Sequence, residues 1–262
     1  MPFAELPDIR LHYREHGKAT GAPVVFAHAL GVDLTVWDQV VEALPQGLRI
    51  IRMDMRGHGK SQVTPAPYSM GTLVRDAEAL LDHLNIRECV FVGLSIGGMI
   101  AQGLAVKRLD QVRALVLSNT AAKIGQPGAW RDRIDLVQSK GMDAVVDMTL
   151  EKWFGRSYRA KTDLEPWRKA ITSTDPQGYM GCCAAISGTD FYTPTSGLRL
   201  PVLGIAGSDD GSTPPDLVRE TVDLVPGSRF QLIRRAGHLP FVEQPQAYSE
   251  ALTSFLRDIG HI

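Results

Sequence analysis

Short apolar runs recur along this 262-residue chain, and segments of helical periodicity separate them. Continuous apolar runs of this length are typical of parallel strands that helices cover on both faces. The runs fall at residues 24–27, 50–53, 90–92, 114–117 and 202–206. The helical segments fall at 36–44, 71–84, 96–107, 214–224 and 245–256. This alternation predicts an α/β fold with a mostly parallel, doubly wound sheet.

The regular alternation stops after Asn119. Residues 124–193 have helical periodicity, broken by Gly and Pro, and contain no convincing strand. Because the strand pattern resumes at 202, we predict a core domain of residues 1–123 and 194–262 with a helical cap of residues 124–193 inserted late in the sheet. Such a cap would cover the carboxyl ends of the strands, where open α/β sheets bind ligands.

Composition limits the classes of partner. A formal net charge of -1 gives no electrostatic footprint for nucleic acid. The three cysteines, Cys89, Cys182 and Cys183, have neither the spacing of a disulfide framework nor that of a zinc site. We therefore expect no metal and no other cofactor. The first residues lack a signal-peptide pattern and no apolar run is long enough to span a membrane, so we expect a cytoplasmic protein without a membrane partner.

The segment Gly93-Leu94-Ser95-Ile96-Gly97 follows a predicted buried strand and opens a predicted helix. A G-x-S-x-G motif in this context is typical of a nucleophile elbow, a tight turn that leaves room only for small residues two positions before and after the serine. We therefore predict that Ser95 is a catalytic nucleophile. The alternative is a glycine-rich turn with an incidental serine.

A serine nucleophile needs a histidine base, which in this arrangement comes last in the chain order. The loop after the predicted strand 230–233 contains His238, which we predict to be the base. His28 and His58 follow other strands, and we expect them to form structural hydrogen bonds beside the site. The four other histidines, for which we expect solvent exposure, are His12, His16, His83 and His261.

The acid of the triad should lie after the strand 202–206, where either Asp209 or Asp210 can orient His238. The pattern G-x-x-D-x-x-T-P, read from Gly207, favours Asp210. For the oxyanion, the turn places the Ile96 N–H at a helix N-terminus, and the loop after strand 24–27 offers the Leu30 N–H. We predict that these two backbone amides form the oxyanion hole.

The motifs of the whole chain resemble those of the α/β-hydrolase superfamily and, within it, the 3-oxoadipate enol-lactonases. The segments that carry the resemblance are 28–31, 37–38, 54–61, 93–99, 207–214 and 237–238. The narrower similarity lies at 117–125, followed by Trp130 and Arg133. One departure is Ala29, where the superfamily commonly has glycine. The resemblance implies a triad of Ser95, Asp210 and His238 that hydrolyses 3-oxoadipate enol-lactone in the β-ketoadipate pathway of aromatic catabolism.

That substrate would require one cation beside an apolar wall, because it is a small lactone that carries a carboxylate. Trp130, Arg133, Ile134 and Val137 share one face of a predicted helix. We therefore predict that Arg133 binds the carboxylate, with Trp130 and Trp153 as apolar contacts. The alternative is that Arg133 extends past packing residues to solvent.

Three other functions share the predicted triad. A general carboxylesterase and a carbon-carbon bond hydrolase both use the same nucleophile and fold. A small-molecule receptor with little turnover is a candidate from a different class. Turnover measured against stoichiometric binding separates the receptor from the enzymes.

Overall fold

The computed structural model describes residues 2–262. Its central feature is one eight-stranded sheet. The strands are β1 (Phe3–Glu5), β2 (Arg10–Gly17), β3 (Ala22–Ala27), β4 (Leu48–Met53), β5 (Cys89–Leu94), β6 (Val112–Ser118), β7 (Val202–Gly207) and β8 (Arg229–Ile233). They are arranged in the order β1-β2-β4-β3-β5-β6-β7-β8. Only β2 runs against the others, because both of its neighbours pair with it antiparallel.

Helices alternate with these strands and continue between β6 and β7. They are α1 (Asp38–Ala43), α2 (Met70–His83), α3 (Ile96–Lys107), α4 (Pro127–Lys140), α5 (Val146–Trp153), α6 (Arg156–Arg159), α7 (Glu165–Thr172), α8 (Pro176–Ser187), α9 (Tyr192–Ser196), α10 (Pro215–Asp223), α11 (Pro240–Glu243) and α12 (Pro245–Asp258). Short 3₁₀ helices cover Leu34–Trp37 and Met142–Val145. None of the helices in residues 2–262 has both the length and the apolar character needed to cross a membrane.

The core lies around the middle strands. Every residue of β5 and β7 is buried. Because successive side chains of a strand point to opposite faces, complete burial requires helices on both sides of the sheet. Helix α3 packs on β5 and β6, and α10 packs on β7. The predicted α/β class with a mostly parallel sheet is therefore confirmed.

The structure departs from the sequence pattern in two places. Strand β1 was not predicted, because three residues are too few to give a period. The segment 36–44, predicted as one helix, is a 3₁₀ turn followed by α1. Asp33 caps the turn by accepting a hydrogen bond from the Thr35 N–H. The helical segment therefore begins at Leu34, two residues before the predicted start at 36.

Helices α4 to α9 form a group between β6 and β7, and α4 packs against α8. We call this group the cap. Residues of the cap and residues at the carboxyl ends of the strands line one cavity of about 370 Å³. The insertion therefore covers the edge of the sheet where parallel strands end, and it leaves a partly open cavity there.

Candidate active site

Ser95 lies between the end of β5 and the start of α3 with a backbone φ of 57°. Only a few non-glycine residues adopt a positive φ, and such strain is concentrated at functional sites. The turn is held through both the backbone N–H and the backbone carbonyl of Ser95. The Ser95 N–H donates to Ser118 O at 3.0 Å, and Thr120 Oγ1 donates to Ser95 O at 2.5 Å. The Ser95 backbone is therefore fixed at the rim of the sheet, where the residue lines the cavity.

The glycines of the motif are required by close backbone contacts. A Cβ on Gly93 would lie 2.3 Å from Gly97 O, and a Cβ on Gly97 would lie 2.4 Å from Ala27 O. Neither distance can be accommodated without moving the backbone. The motif therefore packs the start of α3 directly on the ends of β5 and β3.

Asp210 lies in the loop after β7, where it is 5 % exposed. Its Oδ1 accepts the N–H groups of Ser212 at 2.7 Å and Thr213 at 3.1 Å, and its Oδ2 accepts Asn119 Nδ2 at 2.8 Å. Burial by itself would raise the pKa of Asp210, but the charge and hydrogen bond of His238 and the bond from Asn119 outweigh it. The pKa of this carboxyl lies below its usual value, and the group is an anion at neutral pH. Asp209 is exposed, and within residues 2–262 its carboxylate accepts a bond only from the neighbouring Ser208 hydroxyl.

His238 lies between Asp210 and the cap. Its Nδ1 is 2.8 Å from Asp210 Oδ2, its backbone N–H donates to Trp153 O at 2.7 Å, and its ring stacks on that of Trp153. His238 and Ser95 line the same cavity. Within residues 2–262 no hydrogen bond joins the Ser95 hydroxyl to the imidazole. Such bonds are often long in ligand-free sites and tighten when substrate binds.

The Leu30 and Ile96 amides have no protein acceptor in the described part of the chain, although both residues are at least nine-tenths buried. Unpaired buried N–H groups are rare, and in a catalytic cavity they are available to an oxyanion. The structure thus leaves both predicted donors free, one beside Ser95 and one in the loop after β3.

Two buried histidines hold that loop. His28 Nδ1 bonds to Ala29 O at 2.8 Å, and His58 Nε2 accepts the Gly31 N–H at 3.0 Å. Burial lowers the pKa of both rings, to about 3 for His58, so both are neutral. Because Ala29 O and the Leu30 N–H belong to one planar peptide, a bond to the oxygen also fixes the direction of the N–H.

The cap contributes Trp130, Arg133 and Trp153 to the cavity. The Trp130 indole N–H donates to Ile124 O at 2.6 Å, so its ring is fixed. Ile134 and Val137, which share the predicted helix face with Arg133, do not line the cavity. Leu136, Ala129 and Met148 provide apolar wall there instead.

Arg133 is half-buried. Its Nε donates to Tyr179 Oη at 2.7 Å, and Nη2 donates to Thr149 Oγ1. A third contact is Nη1 to Met148 Sδ at 3.8 Å. In the described residues no carboxylate forms an ion pair with this guanidinium. Since arginine has five N–H donors, two of them are left for a ligand.

Several residues at the site were not predicted from the sequence. Asn119 Nδ2 donates to both Asp210 Oδ2 and Gly237 O, and the Thr213 hydroxyl also donates to Asp210 Oδ2. A polar residue directly after a buried parallel strand was the available signal for Asn119. Lys152 and Tyr179 line the cavity through contacts that only the folded cap creates.

The expected solvent exposure was wrong for His12 and right only in part for His261, which is half-buried with its Nε2 3.1 Å from Pro23 O. His12 is 2 % exposed, and its Nδ1 lies 2.6 Å from Asp54 Oδ2. The loop that carries Asp54 and Ser61 covers this side of β2 and buries the His12 ring. Among residues 2–262, no three His, Cys, Asp or Glu side chains are grouped as metal ligands would be.

The family model for the alpha/beta hydrolase fold matches residues 22–245. Together with the sheet order and the strand-turn-helix around Ser95, this match shows that the chain belongs to the α/β-hydrolase family.

Within this family, the chain is similar to the enol-lactonases. It is 31% identical to 3-oxoadipate enol-lactonase 2 of Acinetobacter baylyi over 95% of this chain and 94% of that one. The crystal structure of the enol-lactonase from Burkholderia xenovorans LB400 matches with a TM-score of 0.94 and 33% identity over 98% of this chain and all of that one. A thermophilic esterase from Thermogutta terrifontis, solved with malate bound, matches with a TM-score of 0.92 and 29% identity over 99% of both chains.

Proposed function

We propose that this protein hydrolyses a small lactone that carries a carboxylate, with 3-oxoadipate enol-lactone as its substrate. The observation that carries the proposal is Arg133, a cation with free donors and no anionic partner, in the same cavity as Ser95 and His238. A partly desolvated guanidinium can bind a carboxylate through two parallel hydrogen bonds. The relatives named for enol-lactonase activity support the choice of lactone.

The chemistry begins with acylation. His238 takes the proton from the Ser95 hydroxyl, and the oxygen attacks the lactone carbonyl. Asp210 holds the imidazole through Nδ1 and stabilises the imidazolium that forms. The oxyanion of the tetrahedral intermediate accepts hydrogen bonds from the Leu30 and Ile96 N–H groups.

Collapse of the intermediate breaks the ring C–O bond. The leaving group is an enol oxygen, which takes the proton from His238 and tautomerises to a ketone, so that ring closure is strongly disfavoured. Water then enters, His238 takes its proton, and the resulting hydroxide attacks the acyl carbon. The bond between the acyl carbon and Ser95 Oγ breaks, Ser95 Oγ takes the proton back from His238, and 3-oxoadipate is released.

The experiment compares two substrates in three proteins. We expect Arg133→Met to lower kcat/KM for the enol-lactone about 100-fold, because a hydrogen-bonded charge contributes about 1.5–3 kcal/mol. The same variant should hydrolyse a neutral aryl ester within about threefold of wild type, since that ester has no carboxylate to lose. Arg131→Met is the matched control, because Arg131 is exposed on the same helix and does not line the cavity.

Three results would contradict the proposal. An equal loss on both substrates would mean that Arg133 supports the cavity and does not bind the carboxylate. A wild-type protein that prefers the neutral ester would favour a general carboxylesterase; the Thermogutta neighbour is named an esterase. Stoichiometric binding of the lactone without turnover would favour a receptor.

A further inference from the structure

The segment of the cap around Trp153 is bonded to both loops of the candidate triad. Lys152 O accepts the Gly211 N–H from the acid loop at 2.9 Å, and Trp153 O accepts the His238 N–H at 2.7 Å. The fit is close, because a Cβ on Gly237 would lie 2.2 Å from Trp153 O. The cap therefore packs directly on the backbone that carries the candidate base.

Glu243, the last residue of α11, connects the same two regions with its side chain. Its Oε1 accepts the Gly237 N–H at 2.5 Å, and its Oε2 accepts the Gly155 N–H at 3.2 Å. Gly237 directly precedes His238, and Gly155 lies two residues after Trp153. One carboxylate thus bonds the histidine loop on one side and the cap on the other.

We propose that Glu243 is a positioning residue that ties the His238 loop to the cap and so holds the imidazole towards Ser95. This inference rests on the proposed function, because it assumes that Ser95 and His238 react together. A displacement of about 1 Å in a reacting group can cost about 100-fold in rate, so a single bond next to the base is enough to matter.

The electrostatic surroundings of Glu243 support a functional origin. Burial raises the pKa of this carboxyl to about 7, the charges of Asp209 and Asp210 act in the same direction, and the two amides oppose them. Tyr158 of the cap also lies in its field. A carboxylate is thus retained where ionisation is costly, and strongly perturbed groups are concentrated at functional sites.

The test uses the full chain with Glu243→Ala, Glu243→Gln and the control Val242→Ala. Val242 is half-buried in the same helix and packs on the core, and its apolar side chain cannot bond the Gly237 or Gly155 amide. The readouts are the second-order rate of Ser95 modification by diisopropyl fluorophosphate, kcat and KM for a neutral aryl ester, and the thermal midpoint. The fluorophosphate reaction reports the competence of the serine and its base without depending on the natural substrate.

We expect Glu243→Ala to lower the modification rate and kcat together by about 10- to 100-fold, with KM within twofold. Glu243→Gln should stay within about fivefold of wild type, because its amide oxygen can still accept the Gly237 N–H. If Glu243→Ala does not fold, Glu243→Asp replaces it, since the shorter side chain cannot reach both amides. The modification rate and kcat of Glu243→Asp should then fall in the same way.

A folded Glu243→Ala protein with rates within twofold of wild type would overturn the proposal. So would a Val242→Ala protein that loses as much rate at the same thermal midpoint, because general loosening would then explain the effect. A wild-type protein that resists the reagent would instead contradict the Ser95 mechanism, and with it both proposals.

Discussion

The rim of the sheet carries Ser95, Asp210 and His238, and the wall of the cap carries Arg133. The two regions meet at one cavity, but they hold their functional groups differently. At the rim, backbone bonds fix the peptide of Ser95, and backbone amides hold the carboxylate of Asp210. In the cap, Arg133 is held by three side chains, Tyr179, Thr149 and Met148. We therefore expect substitutions near the rim to leave the backbone bonds in place. In the cap wall, a single side-chain substitution removes a bond to Arg133 and should alter substrate preference.

Loss of the nucleophile should give the largest effect and is confined to the rim. We expect Ser95→Ala to lower kcat on the order of 10⁶-fold, as loss of the serine does in another serine hydrolase. The thermal midpoint should stay near that of wild type, because the hydroxyl makes no protein hydrogen bond in the described residues. Activity within tenfold of wild type would contradict the mechanism.

Loss of the acid should come next. Asp210→Asn should lower kcat about 10⁴-fold, because an amide at this position stabilises the wrong tautomer of His238. The neighbouring Asp209→Asn is the matched control, and its kcat should stay within about threefold of wild type, since Asp209 is exposed. Equal losses in both variants would show that the loop, and not one carboxylate, is required.

A change in the cap should alter affinity without altering chemistry. Thr149→Val removes the hydroxyl that accepts from Arg133 and conserves the volume of the side chain. We expect KM for the enol-lactone to rise about tenfold with kcat nearly constant, since one charged hydrogen bond is lost. Steady-state kinetics on the lactone and on a neutral ester check this. A fall in kcat on both substrates would contradict the claim that the cap sets affinity while the rim sets the chemistry.

The smallest effect concerns stability at the junction between the two regions. Because the pKa of Glu243 is raised to about 7, the folded protein keeps a proton that the unfolded chain releases from about pH 4.5 upward. The free energy of unfolding should therefore fall as pH rises through this window. Glu243→Gln should gain about 1 kcal/mol over wild type between pH 4 and pH 8, after allowance for solvent screening.

Urea unfolding at both pH values measures this difference. Glu250→Gln, at an exposed position of α12, gives the baseline for removing one surface carboxylate. A Glu243→Gln protein that becomes less stable relative to wild type as pH rises would contradict the sign of the effect.

The rim was predictable from the sequence because its geometry depends on local backbone rules. A buried strand followed by glycines around a serine defines one turn, and the chain order of nucleophile, acid and histidine points to Asp210 and His238. The Leu30 amide was predicted from its position in the loop that directly follows strand β3. The structure places Ser95 and His238 in one cavity and His238 Nδ1 beside Asp210 Oδ2, while their catalytic roles stay a prediction.

The cap contacts were less predictable because they depend on how helices pack. The period of α4 placed Arg133 on one face with Ile134 and Val137, but it could not show that Leu136, and not these two residues, lines the cavity. The bond from Arg133 to Tyr179 joins residues 46 apart, and the bond from Gly155 to Glu243 joins residues 88 apart. No local pattern encodes such pairs.

The most direct test of the mechanism is to locate the group that a fluorophosphonate modifies. The protein is inactivated with the reagent, digested, and mapped by mass spectrometry while residual hydrolysis of the enol-lactone is followed. We expect one adduct per chain, on Ser95, forming in proportion to the loss of activity and more slowly in the presence of 3-oxoadipate. An adduct on another residue, or full activity after Ser95 is completely modified, would contradict the mechanism.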